Sequence, residues 1–302
     1  MPNESLFEWR DVLFQYVGFL SSFWMLGAIG FRYGILRAGL TAPGGRGSPL
    51  AGAVRRSAAG AARIGLLGVG LGVVSLVEGL LERAESKHLT LGEAFSAGGA
   101  TSLAQVVLLG ALLVAFVLAL RSVSIGWPIA AASGVAFALR SLLAGRLAGM
   151  VNPLHVLGAS LWLGTLFVMV VSGLAQMLRP SVPAVDREPA VAEMVHRFSI
   201  VGLGGAALLG ITGVITAWTH LNPLSALWTT PYGYALMGKL FVVAIVLGLG
   251  AWNWRRVGPS LGTEGGALKI RRSATMELGF AAVVLLLTAI LVSLPSPKLP
   301  VH

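Results

Sequence analysis

Residues 153–178, PLHVLGASLWLGTLFVMVVSGLAQML, form one apolar run with a histidine near its start and no Asp, Glu, Lys or Arg anywhere in it. About 20 such residues cross a hydrocarbon core as a helix, so the run reads as a membrane span. Working outward, seven more runs of that kind stand near 12–36, 63–81, 103–121, 126–144, 198–219, 233–254 and 274–294. The run at 126–144 is the weakest, because Trp127-Pro128 opens it and Arg140 closes it early. The chain is 56% hydrophobic and 11% charged, whereas a soluble domain carries roughly 25% charged residues. The expected fold is an all-α polytopic membrane protein, a bundle of about eight transmembrane helices with no room for a sizeable soluble domain. It divides into two four-helix halves, 1–150 and 151–302.

The net charge of +10 could suggest a nucleic-acid partner, but its distribution argues for topology. Fifteen Lys and Arg residues fall on the odd-numbered loops, among them Arg32, Arg55, Arg56, Arg63, Arg179, Arg197, Arg271 and Arg272. Six fall at the termini and on the even loops: Arg10, Arg83, Lys87, Arg140, Arg146 and Lys298. Cytoplasmic loops carry the excess of basic residues, so both termini are expected on the outer, periplasmic side. The surplus charge is suited to anionic lipid rather than nucleic acid. Glu4, Glu8 and Asp11 precede the first apolar run, where a secretory leader would be basic, so no signal peptide is expected.

Cysteine is absent, which excludes disulfides and thiolate metal sites and leaves Met and His for any soft metal. No hydrolase triad, metalloprotease motif or nucleotide loop is present, and no enzymatic role is expected. Two histidines, His155 opening the fifth span and His220 closing the sixth, are expected at the outer face. Each stands beside an Asn-Pro pair, Asn152-Pro153 and Asn222-Pro223. Met150, Met237 and Glu78 are expected in the same layer, and imidazole with thioether suits copper. Lys239, two turns into the seventh span, is costly in lipid unless paired, and Glu78 is its expected partner. Glu277 is expected to pair with Arg271 or Arg272. Trp162 and Met169 follow His155 at steps of seven, a stripe that reads as helix packing. Gly68, Gly70, Gly72, Gly202, Gly204 and Gly205 read as seams where helices approach closely. Asp186 to Arg197 reads as a short interfacial helix. Gly27 and Gly164 belong to a faint echo between the first and fifth spans.

From His155 to Pro295 the chain resembles the copper-resistance protein D (CopD) family of bacterial inner-membrane proteins. The pieces stand in order: HVLGASLWLG from His155, Arg197-Phe198-Ser199, Thr212-Gly213, Thr230-Pro231-Tyr232-Gly233, Lys239, and RRSATMEL from Arg271. The resemblance implies copper handling at the inner membrane with a periplasmic copper-carrier protein as partner. It carries His155, Trp162, Tyr232, Lys239 and Glu277 over as family-pattern positions. Two other functions fit the residues: a b-type haem protein with His155 and His220 as axial ligands, and a non-catalytic accessory subunit of a larger membrane complex.

Overall fold

A computed structural model describes residues 8–36, 47–140, 150–221, 224–253, 255 and 266–294. The helices are α1 (Trp9–Ile35), α2 (Pro49–Lys87), α3 (Leu91–Ala97), α4 (Gly99–Leu120), α5 (Gly126–Ala138) and α6 (Val151–Met177). There follow α7 (Ala184–His220), α8 (Ala226–Thr229), α9 (Pro231–Trp252) and α10 (Gly266–Ser293), with no strand among the described residues. Seven of them are long and apolar enough to cross a membrane, and α5 is a shorter apolar helix of 13 residues. This is an all-α multi-pass membrane protein. Leu203, Val214 and Trp218 on α7 are each at least 70% exposed, a face that lipid rather than water must cover.

Local chemistry sets the helix ends. Ser48 caps α2, its hydroxyl accepting from the Ala51 N–H at 3.1 Å, with Pro49 at the first helical position. His88 ends α2 in the left-handed region at φ 52°. Thr90 and Glu93 form a reciprocal capping box on α3. The Thr-Pro-Tyr-Gly motif is a helix start of the same kind: Thr230 accepts from the Gly233 N–H at 3.1 Å. Gly233 is required there, because a Cβ would stand 2.4 Å from the Ala226 and Leu227 carbonyl oxygens.

α6 is the central helix: 61% of its apolar stretch is buried, against 11% for α9. Its neighbours reach it at small residues. A Cβ on Gly27 of α1 would lie 2.4 Å from the Gly164 backbone, and Gly158 and Gly205 make the equivalent approach between α6 and α7. Against α2, Ser57 and Ser172 each donate to the other's carbonyl, at 3.3 and 2.8 Å. Trp24 of α1 stacks on Phe167 at 5.6 Å. Phe23 lies against Gly164 and Phe31 against Gly173, so α1 and α6 run parallel and begin at the same face of the bundle. Two π-turns, Ser160–Gly164 and Met169–Leu174, interrupt α6.

The structure corrects several details. α2 begins at Pro49 rather than near 63, so Arg55, Arg56 and Arg63 ride on the helix. Residues 186–197 are continuous with α7 and make no separate interfacial helix, although Pro189 lies inside it and removes one i→i−4 hydrogen bond. Gly70 and Gly204 face open space and are not seam residues, whereas Gly68, Gly72, Gly202 and Gly205 meet neighbours. Arg146 and Lys298 lie outside the described residues, as does the side chain of His220.

Candidate functional site

His155 sits in the second turn of α6 and turns toward α7. Its Nδ1 lies 3.0 Å from the Thr212 hydroxyl, and Thr212 is 3% exposed. Thr212 gives its own proton to the Leu208 carbonyl at 2.7 Å, so toward the imidazole it accepts. With that proton committed, the contact assigns the ring N–H to Nδ1. Nε2 keeps its lone pair. A histidine that ligates a metal through one nitrogen ordinarily anchors the other in this way. Gly213 makes room for the ring, because a Cβ there would stand 3.3 Å from His155 Cε1. Two motifs 57 residues apart, the histidine of α6 and Thr212-Gly213 of α7, thus make one seat.

Lys239 on α9 is half-buried and within electrostatic reach of the same ring. Its expected partner is taken: Glu78 accepts from Arg10 Nε at 3.0 Å and Nη2 at 2.7 Å. Arg10 on the first turn of α1 reaches α2 before any residue of α9 can. No ion pair involving Lys239 is found among the described residues.

The other expected ligands do not gather. His220 ends α7 eight residues beyond Thr212, about 12 Å along the helix at 1.5 Å per residue. His155 therefore meets α7 two turns below His220, and the common depth expected of the pair does not hold. A flat bis-histidine haem requires the two rings at one level across the iron. Met150 caps the start of α6 and Met237 lies on α9, both half-buried. Among the described residues no group of three His, Asp or Glu side chains could hold a metal ion. Trp162 is packed with Phe23, Leu163, Val246 and Leu285, and Met169 is 2% exposed, so the stripe after His155 is core. Tyr232 is buried with Leu236 and Leu291.

Glu277 also departs from expectation. It is 5% exposed on α10 and accepts from the Asn253 amide, whose oxygen in turn accepts from Ser273. Arg271 and Arg272 point to the exterior. Helical spacing explains this: Ser273 and Glu277, four apart, share a face from which Arg271 and Arg272 are turned away.

Elsewhere the face where α1 begins holds a feature that sequence reasoning missed. A cavity of about 670 Å³ lies between the start of α1 and the ends of α2 and α10, and Glu8, Asp11, Glu78, Glu82 and Glu85 line it beside Arg10. Below it a second cavity of about 380 Å³ is lined by α1, α2, α4, α5 and α6. The acids are far apart in sequence only as two groups, and a helical repeat of Glu78, Glu82 and Glu85 was available as a signal.

Against known proteins, residues 192–291 match the family model of Copper resistance protein D. The copper transport protein CutJ of Bacillus subtilis (strain 168) is 28% identical over 157 residues, half of this chain. The chain spans 26% of the length of that relative. No solved structure matches. The matched segment contains Thr212, Gly213, Tyr232, Lys239 and Glu277, and begins beyond His155.

Proposed function

We propose that this protein handles copper at the bacterial inner membrane, binding the ion through Nε2 of His155 and passing it inward or to a periplasmic carrier. The observation that carries the reading is the His155–Thr212 seat. It joins the one histidine of the core helix to a threonine inside the segment that matches Copper resistance protein D, and it leaves an anchored imidazole with one nitrogen free for a metal. Met150 and Met237 are the candidates to complete the ligand set, since thioether suits copper.

The orientation proposed with it places the α1 face outside. The acidic residues Glu78, Glu82 and Glu85 crowd that face. At the other end Arg56 bonds Gln176 at 3.2 Å and Arg197 pairs with Glu193, the charge distribution of a cytoplasmic surface. Since α1 and α6 run parallel with α2, α4 and α5 between them, α5 is the crossing that makes eight.

The test is metal content of the purified protein after copper loading and washing, for the native chain and for His155→Ala. Copper near one per chain, lost in the variant, is the expected result. Full copper retention by His155→Ala removes the assignment, and iron with a Soret band in place of copper restores haem.

A further inference from the structure

The two cavities at the α1 face share Gln15 and Ser75 in their walls, so they adjoin each other. Their mouth presents five carboxylates, from Glu8, Asp11, Glu78, Glu82 and Glu85, against the single guanidinium of Arg10. Their depth is mixed, with Ser21 and Ser22 set among Phe19, Leu26, Phe137 and Val156. Ser22, 13 residues past Trp9, stands about 20 Å along α1 at 1.5 Å per residue. Lipid-buried walls are ordinarily apolar, and polar side chains at that depth mark a water-filled path. Gln15, Ser75, Thr101, Gln105 and Asn152 line the space, and none of their side chains has a hydrogen-bond partner among the described residues. Gln15 and Asn152 are exposed and the other three half-buried, so water rather than protein is their partner there. Arg140 closes the far rim, but its head is folded back, donating to the Phe137 carbonyl at 2.7 Å and lying 4.1 Å over the Phe137 ring.

We infer that the two cavities make one water-filled half-channel that admits a hydrated divalent cation from the α1 face to the middle of the bundle. A low-dielectric cleft lined by one sign of charge concentrates ions of the opposite sign. Hydroxyl and carboxamide oxygens suit a cation that keeps its water; a thioether-seeking Cu(I) finds no methionine in these walls. That the cation is Cu(II) rests on the proposed function; the half-channel itself stands on the cavities and their lining.

The chain has no cysteine, so single replacements report access without background. Ser22→Cys, Ser75→Cys and Gln105→Cys would be treated in intact membranes with cationic and anionic methanethiosulfonates of equal size. Val74→Cys serves as control, because it adjoins Ser75 but lies on the outer surface at 48% exposure. The three wall positions are expected to react about tenfold faster than Val74→Cys and to prefer the cationic reagent by about tenfold. Glu82→Gln with Glu85→Gln, which leaves three carboxylates against Arg10, should weaken that preference. Wall positions as slow as Val74→Cys overturn the half-channel, and so does preference for the anionic reagent. Three positions keep the test alive should one variant fail to reach the membrane. Cu(II) added before the reagent should slow labelling of Ser22→Cys. Fast, cation-selective labelling that copper leaves unchanged refutes copper as the cargo of this path while the half-channel stands.

Discussion

His155 could be singled out from its own surroundings, because a lone imidazole at the head of an apolar run is costly without a role or a partner. Thr212 could not. Its hydroxyl is one among many Ser and Thr groups that bond back to the preceding turn, and only the packing of α7 on α6 turns it toward the ring. Thr212→Val keeps the shape and removes the acceptor. Loss of such an anchor typically weakens metal binding by about 10- to 100-fold, which copper titration of the purified protein would measure. Lys239 acts in the opposite sense. An ammonium within reach of the ring opposes a second positive charge there, by about 2 kcal/mol for unit charges some 8 Å apart at an effective dielectric of 20. Lys239→Met should therefore tighten copper binding, which the same titration would measure.

At the scale of helices, apolar periodicity and length gave the spans to within a few residues except where a polar or charged stretch continued a helix, as at Pro49–Ile64 and Ala184–Arg197. The π-turns of α6 leave no mark in the pattern, because they are imposed by neighbours. One such close backbone approach lies within the first of them, at Gly164. Gly164→Leu puts its Cβ 2.4 Å from the Phe23 carbonyl oxygen. Overpacking costs typically about 1–3 kcal/mol, and more where the obstacle is backbone, so a marked loss of thermal stability in detergent is expected. Gly70→Leu, with nothing within 4 Å, is the matched control. α3 supplies a pH signal. The Thr90 N–H, and then its hydroxyl, hold the Glu93 carboxyl below its usual pKa. A carboxyl with a depressed folded-state pKa contributes above its unfolded value and loses that contribution as pH falls through the folded one. Amide protection over residues 91–97, taken relative to the intrinsic exchange rate, should accordingly fall on acidification below about pH 4, and Glu93→Ala should lower it at neutral pH.

For the whole molecule, composition was sufficient to read a multi-pass bundle, and charge asymmetry supplied an orientation that reporter fusions can check. Alkaline phosphatase joined after His88 should be active and joined after Pro180 inactive, with a fluorescent protein giving the reverse; the opposite pattern turns the bundle over. What composition could not convey is which helices touch, since apolar spans look alike until their small residues are matched. The crossing of Gly27 with Gly164 has a consequence for how the protein is made. During translation α1 enters the bilayer first, yet the helix that fits its narrowest point follows 137 residues later. Until then its glycine face is open to lipid, or to whatever insertase or membrane protease patrols unfinished chains. A product that stops before α6 carries that open face permanently, a label by which the cell can tell an aborted copy from a complete one.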